Sequence, residues 1–261
     1  MNISIIKTLF ICSVLISGER AFAQKGFEFG IRYSVGESTL LNKTDEDAGA
    51  ELNYASTTSY LSGGIAGAYN FDRHMALELD ILFSRQGQIY SGVNMETPNA
   101  AAYNNEVALQ AFVNNKITTG TYQAKAELNC IKFPILFRLT TDNTKRMYYT
   151  LSAGPQVNVI KSVVYEVNKE DVELPGLSIE PNDVYRKVTF DAVLALGAGF
   201  KLSRHFALSA QARFDYGLQD VEKKDVTYTY LGIGGRKYYS DSRAATHNAT
   251  GVLMIGLSYK L

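Results

Sequence analysis

The chain has 261 residues, 46% of them hydrophobic, and 26 basic residues balance 26 acidic ones. Zero formal charge argues against a nucleic-acid partner, which needs a basic surface. Beyond the N-terminus no run reaches the ~20 apolar residues of a membrane helix. Neither observation excludes a membrane barrel. Only alternate residues of a barrel strand meet lipid, so its hydropathy signal is weak.

The first residues have the form of a secretory leader. Lys7 supplies a positive charge, residues 9–16 are apolar, and Ala21-Phe22-Ala23 offers small residues to a signal peptidase. Residues 1–23 are expected to be a cleaved signal peptide, leaving 24–261 as one barrel domain. Cys12 leaves with the leader. Cys130 then has no partner for a disulfide or a two-cysteine metal site, and the expected role is that of a small packing residue.

In chain order, residues 26–36 place Phe27, Phe29, Ile31, Tyr33 and Val35 on one face and Glu28, Gly30, Arg32 and Ser34 on the other. That period of two marks a half-buried strand. Residues 37–58 read as a long polar loop. A second strand covers 59–71 and a third runs from 75 to about 88, with Glu78 and Asp80 two apart on its polar face. Residues 89–119 read as a second long loop, with a short helix possible in sequence at 99–110. Strand four, 122–139, aligns Ile131, Phe133, Ile135, Phe137 and Leu139. The same parity brings Gln123, Lys125, Glu127 and Asn129 onto that face. Either a bulge near Cys130 resets the register, or the upper half of the strand rises out of lipid into water. The second reading is preferred. Pro134 counts against a strand here, since proline is normally confined to edges and bulges.

Residues 140–146 form a polar turn before strand five, 147–160. A third, acidic loop covers 162–185 and strand six covers 186–202. Strand seven begins at Phe206, and a fourth loop, 218–245, carries Tyr228, Tyr230, Tyr238 and Tyr239. The last strand is 249–261. One hairpin occurs twice, at 62–87 and 194–218, with turns Asp72-Arg73-His74 and Ser203-Arg204-His205, each followed by x-Ala-Leu.

The pattern gives eight strands whose connections alternate long and short. This is the form of an antiparallel up-and-down transmembrane β-barrel with four long extracellular loops and three short periplasmic turns. A soluble barrel would bury its greasy face. Here the other face holds Gly30, Gly64, Ala66, Ala68, Gly154, Gly197 and Gly199 together with many charges. A core of glycines and unpaired charges would not hold together in water, so the greasy face is assigned to lipid. An all-β, eight-stranded outer-membrane barrel in a Gram-negative envelope is the expected fold and location.

Four segments carry a resemblance. They are Gly64–Gly87 with its Ala-Leu-Glu-Leu…Ser-Arg-Gln-Gly run, Lys132-Phe133-Pro134-Ile135-Leu136, Ala153-Gly154-Pro155, and Gly197-Ala198-Gly199 through Arg213-Phe214-Asp215-Tyr216-Gly217-Leu218. In order and spacing the chain resembles the PorT-like outer membrane β-barrel proteins of Bacteroidetes-type bacteria, also called porin family proteins. The resemblance implies an outer-membrane barrel with loops outside and no catalytic activity. It also makes Pro134 a family feature.

The inward charges Glu28, Arg32, Glu78, Asp80, Lys132, Arg138, Asp191, Arg213 and Asp215, with Lys201 and Lys260, are read as a lumenal ion-pair network that plugs and stabilises the barrel. Eight strands leave an interior just filled by side chains. A conducting pore is the alternative, and Glu78 with Asp80 as a catalytic pair is disfavoured for want of a cleft. His74 and His205 read as turn residues near lipid headgroups. His247 with Ser240 or Ser242 is the pair an outer-membrane lipid-modifying enzyme would need. The loop tyrosines offer a contact surface for a protein or glycan. The expected role is structural or interactive, without cofactor or metal, in a monomeric barrel surrounded by outer-membrane lipid. A narrow porin and a lipid-modifying enzyme are the alternatives.

Overall fold

Alternation of apolar and polar residues along long segments closes this chain into a ring of eight antiparallel strands. The computed structural model describes residues 25–47, 58–94, 121–167, 170–171, 184–224, 226–230, 235–239 and 244–261. In chain order the elements are β1 (Gly26–Asn42), α1 (Lys43–Asp47), β2 (Thr58–Asn70), β3 (Met75–Asn94), β4 (Thr121–Thr140), β5 (Met147–Val167), β6 (Glu170–Asp171), β7 (Val188–Lys201), β8 (Phe206–Gly217), β9 (Val226–Tyr230), β10 (Gly235–Tyr239) and β11 (Thr246–Lys260). The ring runs β4-β3-β2-β1-β11-β8-β7-β5 and closes through the β4–β5 pairing. Closure leaves no unpaired strand edge for lipid to meet. β6 adds a two-residue edge to β5, and β9 pairs with β10 as a separate hairpin.

The expected loop 37–58 begins later than the sequence pattern suggested, because β1 runs on to Asn42 against Thr246 of β11. Likewise β3 continues to Asn94 and β5 to Val167. These extensions mix polar residues with buried Leu40, Tyr90 and Val163 and lack the regular apolar face of the segments below them, so main-chain pairing with a neighbour extends the strands past the point where the pattern fades. The final strand starts at Thr246 for the same reason. The fourth loop contains the β9–β10 hairpin. Residues 99–110 lie outside the described residues.

Burial is inside out. Along β8 every second residue from Phe206 to Tyr216 is exposed, and Arg213 and Asp215 are buried between them. Leu253 is 68% exposed and Ile31 and Phe83 are 62% exposed. A continuous apolar belt of this kind far exceeds the patches that monomeric soluble proteins tolerate. Rings edge the belt at the turn end: Phe27 lies 5.1 Å from Tyr69, Tyr69 lies 5.4 Å from Phe71, and Phe206 lies 5.1 Å from Tyr259. Aromatic girdles at the interface are a barrel feature.

The alternatives for β4 resolve cleanly. Its own parity is unbroken: Leu128, Cys130, Lys132, Pro134, Leu136 and Arg138 all turn inward, and Gln123 is exposed. The register shift does fall beside Cys130, but in the partner strand, where Cys130 pairs with Ile160 and Asn129 with Ser162. The bulge therefore pushes Lys161 outward and leaves the polar upper half of β4 on the outer face. Pro134 sits within the ring. The β3–β4 pairing runs to Leu79↔Ile135 and resumes at Leu82↔Lys132, which spares the missing N–H a rung.

The repeated hairpins have the same turn chemistry. The Asp72 carboxylate accepts from the His74 and Met75 amides at 2.6 and 2.9 Å, and the Ser203 hydroxyl accepts from those of His205 and Phe206 at 3.3 and 3.1 Å. Each turn histidine then ties its hairpin to the next strand. His74 Nδ1 donates to the Thr140 carbonyl at 3.1 Å, and His205 Nδ1 donates to that of Lys260 at 3.0 Å. A carbonyl can only accept, so both imidazoles carry the proton on Nδ1.

Glycines set the ring's tightness at a few points. A Cβ on Gly64 would fall 1.9 Å from the Ile81 carbonyl oxygen, and one on Gly154 would fall 2.1 Å from that of Ile135. At Gly199 the clash would be with the Tyr148 ring and hydroxyl, which stand over the glycine at the turn end of the lumen.

Candidate functional site in the barrel lumen

Inward parity brings the charged residues of five strands into two stacked clusters. Near the turns, Arg138 of β4 contacts Glu28 at 2.9 Å and Glu78 at 2.8 Å, and donates to Asn70 at 3.1 Å. Arg32 of β1 contacts Glu78 at 3.1 Å and Asp80 at 3.3 Å. Two arginines thus serve three carboxylates. The planar guanidinium suits this bridging, because its fixed fork reaches two acceptors at once.

The second cluster lies further from the turns. Lys132 Nζ is 2.9 Å from Asp215, and Arg213 Nε is 2.7 Å from the same carboxylate. Gln156 is the hub that the charge pattern did not reveal. It accepts from Arg213 and donates to Asn158 at 2.7 Å and Asp191 at 3.0 Å. Its inward parity on β5 was readable, but a neutral amide does not stand out in a search for charge. Asp191 makes no ion pair among the described residues and is held by this amide. All nine expected network residues face inward. Lys201 and Lys260 are a correction: they sit half-buried at the turn-side mouth, and Lys201 Nζ donates to the Thr144 carbonyl at 3.2 Å instead of to a carboxylate. Lys260 lies opposite Glu28 in the β1–β11 register but comes within ion-pair distance of no carboxylate among the described residues.

Apolar side chains share the interior. Leu82, Leu136, Val193, Val252 and Met254 are all buried. They exclude water around the ion pairs and lower the local dielectric, which strengthens paired charges and penalises unpaired ones. Cys130 is also buried, 3.2 Å from the Ser84 hydroxyl.

Toward the long loops a polar layer follows. Asn248 donates to Gln86 at 3.1 Å, the Leu40 amide donates to Gln88 at 3.1 Å, and the Gly87 amide donates to Ser38 at 2.7 Å. Gln86, Gly87 and Gln88 are buried in succession, so β3 loses its alternation where it leans across the mouth toward β1. A Cβ on Gly87 would fall 1.9 Å from the Ala126 carbonyl oxygen.

Voids among these lumen residues are small. One of about 30 Å³ lies between Glu28, Arg32, Glu78, Arg138 and Tyr148, and one of about 20 Å³ lies beside Asn143, Lys201 and Lys260. Each holds one or two waters, against several hundred Å³ for a ligand pocket. Glu78 is tied to both arginines, which leaves it poorly placed to act as an acid or base. Among the described residues no group of three potential ligands can hold a metal ion.

His247 Nδ1 donates to the Gly217 carbonyl at 2.9 Å, and its ring stacks on Tyr216 with centroids 5.7 Å apart. Ser240 and Ser242 lie outside the described residues, as do the side chains of the loop tyrosines.

No curated protein matches the chain. Among solved structures, it is similar to the outer membrane protein OprG from Pseudomonas aeruginosa, with 11% identity and a TM-score of 0.47 over 91% of this chain and 97% of that one. Neisserial surface protein A gives 10% identity and a TM-score of 0.41 over 90% and 97%. The outer membrane protease OmpT from Escherichia coli gives 10% identity and 0.44 over the same shares. Likeness at this level carries no argument about activity. The family profile described as outer membrane protein beta-barrel domain matches residues 22–223, from ahead of β1 to beyond β8. With that match over more than half of its length, the chain belongs to the outer membrane protein beta-barrel domain family.

Proposed function

We propose that this outer-membrane barrel is a closed scaffold that presents its long loops at the cell surface, where a protein or glycan binds, and that it neither conducts solutes nor catalyses a reaction. The observation that carries this reading is the packed lumen, whose ion pairs span the wall from β1 to β8 around voids of about 30 and 20 Å³. A hydrated ion needs a continuous wet path, and paired charges with Leu82, Leu136 and Met254 between them offer none. The four connections at one end are far longer than the turns at 71–74, 141–146 and 202–205. That asymmetry supports loops outside and turns in the periplasm.

The leader-like residues 1–23 support export through a cleaved signal peptide. The motif order from Gly64 to Leu218 supports placement in the PorT-like branch found in Bacteroidetes. His247 stacks on Tyr216 and donates from Nδ1 to the Gly217 carbonyl, and among the described residues no hydroxyl or carboxylate is bonded to its ring, which supports a structural histidine.

The test is conductance of the purified, refolded protein in a planar bilayer. The expected record is flat across physiological voltages. Regular, salt-dependent current steps would overturn the closed-lumen reading in favour of a narrow porin.

A further inference from the structure

We infer that a groove on the outer wall, where β2, β3, β4 and β5 meet the upper edge of the apolar belt, binds a phosphorylated lipid of the leaflet on the long-loop side. The groove measures about 630 Å³ and is lined by Tyr33, Leu61, Gly63, Phe83, Ile131, Arg85, Asn129 and Lys161 among others. Its floor is Gly63, above which a Cβ would meet nothing nearer than 3.6 Å. Tyr33, Leu61 and Phe83 stand beside it, each at least half exposed. An acyl chain fits such a trough.

Its upper end is cationic. Arg85 is the first charge after the outward run Leu79, Ile81, Phe83, and it lies directly across from Asn129. Asn129 pairs in turn with Ser162, and the bulge that leaves Lys161 outside the register sits at this rung. The amide of Ile160 donates to the Lys187 carbonyl at 2.8 Å, which brings exposed Arg186 beside Lys161. One row at one height thus carries Arg85, Asn129, Lys161 and Arg186 on neighbouring segments.

Nearby carboxylates are already served. Lys125 lies 2.8 Å from Glu127 and 3.2 Å from Glu166. Arg85 Nε reaches Glu127 only at 3.8 Å, and its side chain is 67% exposed. Lys161 and Arg186 make no ion pair among the described residues. Exposed cations at the boundary between apolar wall and water, above an apolar trough, match an amphiphile with phosphate at its head. A larger groove of about 860 Å³ around Gly251 is edged by Glu37 and lacks that match.

The probe is hexa-acyl diphosphoryl lipid A, added to the full mature protein in nonionic detergent and read by native mass spectrometry. A one-to-one adduct is expected. At about 5-fold per cation lost near an anionic lipid, R85Q/K161Q weakens it by roughly 25-fold, while G63L weakens it by filling the trough with the charges intact. The same lipid stripped of both phosphates binds wild type as weakly as the intact lipid binds R85Q/K161Q. This wild-type comparison needs no variant, so it stands even where a variant fails to fold. Equal binding of the stripped lipid, or an unchanged adduct with folded R85Q/K161Q, overturns the proposal by revealing ordinary annular lipid. Displacement by millimolar inorganic phosphate also overturns it, because the site would then be one for a bare anion.

Discussion

Arg138→Met removes the centre of the turn-side cluster with little change in side-chain volume. The guanidinium holds Glu28 at 2.9 Å, Glu78 at 2.8 Å and Asn70 at 3.1 Å in a residue that is 8% exposed. Glu78 keeps Arg32 after the substitution, but Glu28 is left with the neutral side chains of Asn70, at 3.4 Å, and Ser258. Removing one partner of a buried pair costs about 3–5 kcal/mol, since the surviving charge stays desolvated. With a urea m-value of about 2–3 kcal/mol/M, the midpoint falls by about 1–2.5 M. The chain has no Trp, so unfolding from lipid vesicles is best followed by far-UV circular dichroism and by the mobility shift on boiling. Pairing the change with Glu28→Gln neutralises the abandoned carboxylate and restores about half of the loss if burial of that charge is the main cost. A loss below about 1 kcal/mol would match a solvent-exposed ion pair. The lumen would then be wet and the closed-scaffold reading wrong.

Other expectations follow from the same geometry. Ile255→Arg, on the belt where Ile255 is 57% exposed, destabilises the barrel in a bilayer by about 2–4 kcal/mol; a value near zero in lipid vesicles would place that face in water. Gly64→Val drives a side chain into the Ile81 carbonyl and costs about 1–3 kcal/mol or more, seen as a smaller heat-shifted fraction on refolding. Cys130 is 3% exposed, so maleimide labels it only after unfolding, and rapid labelling of the folded protein would contradict the inward parity of β4. Amides donated by His74, and then by Met75, hold the Asp72 carboxyl below its usual range. Its contribution is therefore present above the ordinary Asp value and fades as pH falls through the lowered one. The urea-midpoint gap between wild type and Asp72→Ala should narrow between pH 7 and pH 3, and a gap independent of pH would deny the carboxylate that role.

Parity made most of the ring legible. Once Phe206, Leu208 and Phe214 share a face, Arg213 and Asp215 must share the other, and no tertiary information is needed to send them inward. The repeated turns fixed two of the three short connections before any contact was seen. Strand ends were not legible. Asn42, Asn94 and Val167 are held by pairing with a distant neighbour, and such extensions, mixed in composition and without a regular apolar face, look like loop in a sequence. The bulge was readable as a position but not as a strand, because a register shift belongs to a pair and only one member was under suspicion. Partner choice inside the lumen was also beyond reach. Nothing local says that Arg138 takes Glu28 and Glu78 while Lys132 takes Asp215. That assignment follows from the stagger of eight strands and the height it gives each side chain.

Lumen and wall respond to mutation differently for one physical reason. Inside, Gln156, Arg213, Asp215 and Lys132 depend on one another in a space with no room for another solvent shell. A change at one leaves the others buried and unpaired, so the interior is constrained as a group. Outside, Leu253, Ile31 and Phe83 meet fluid acyl chains, and one bulky apolar residue replaces another at little cost. A charge on that wall is expensive within the belt and tolerable only near its edges. Arg85 and Lys161 stand at such an edge, where no lumenal partner requires them and no fold rule demands a cation. The polar interior explains how the barrel holds together; specific recognition is better sought where charge is present without structural need, at that rim and on the long loops above it.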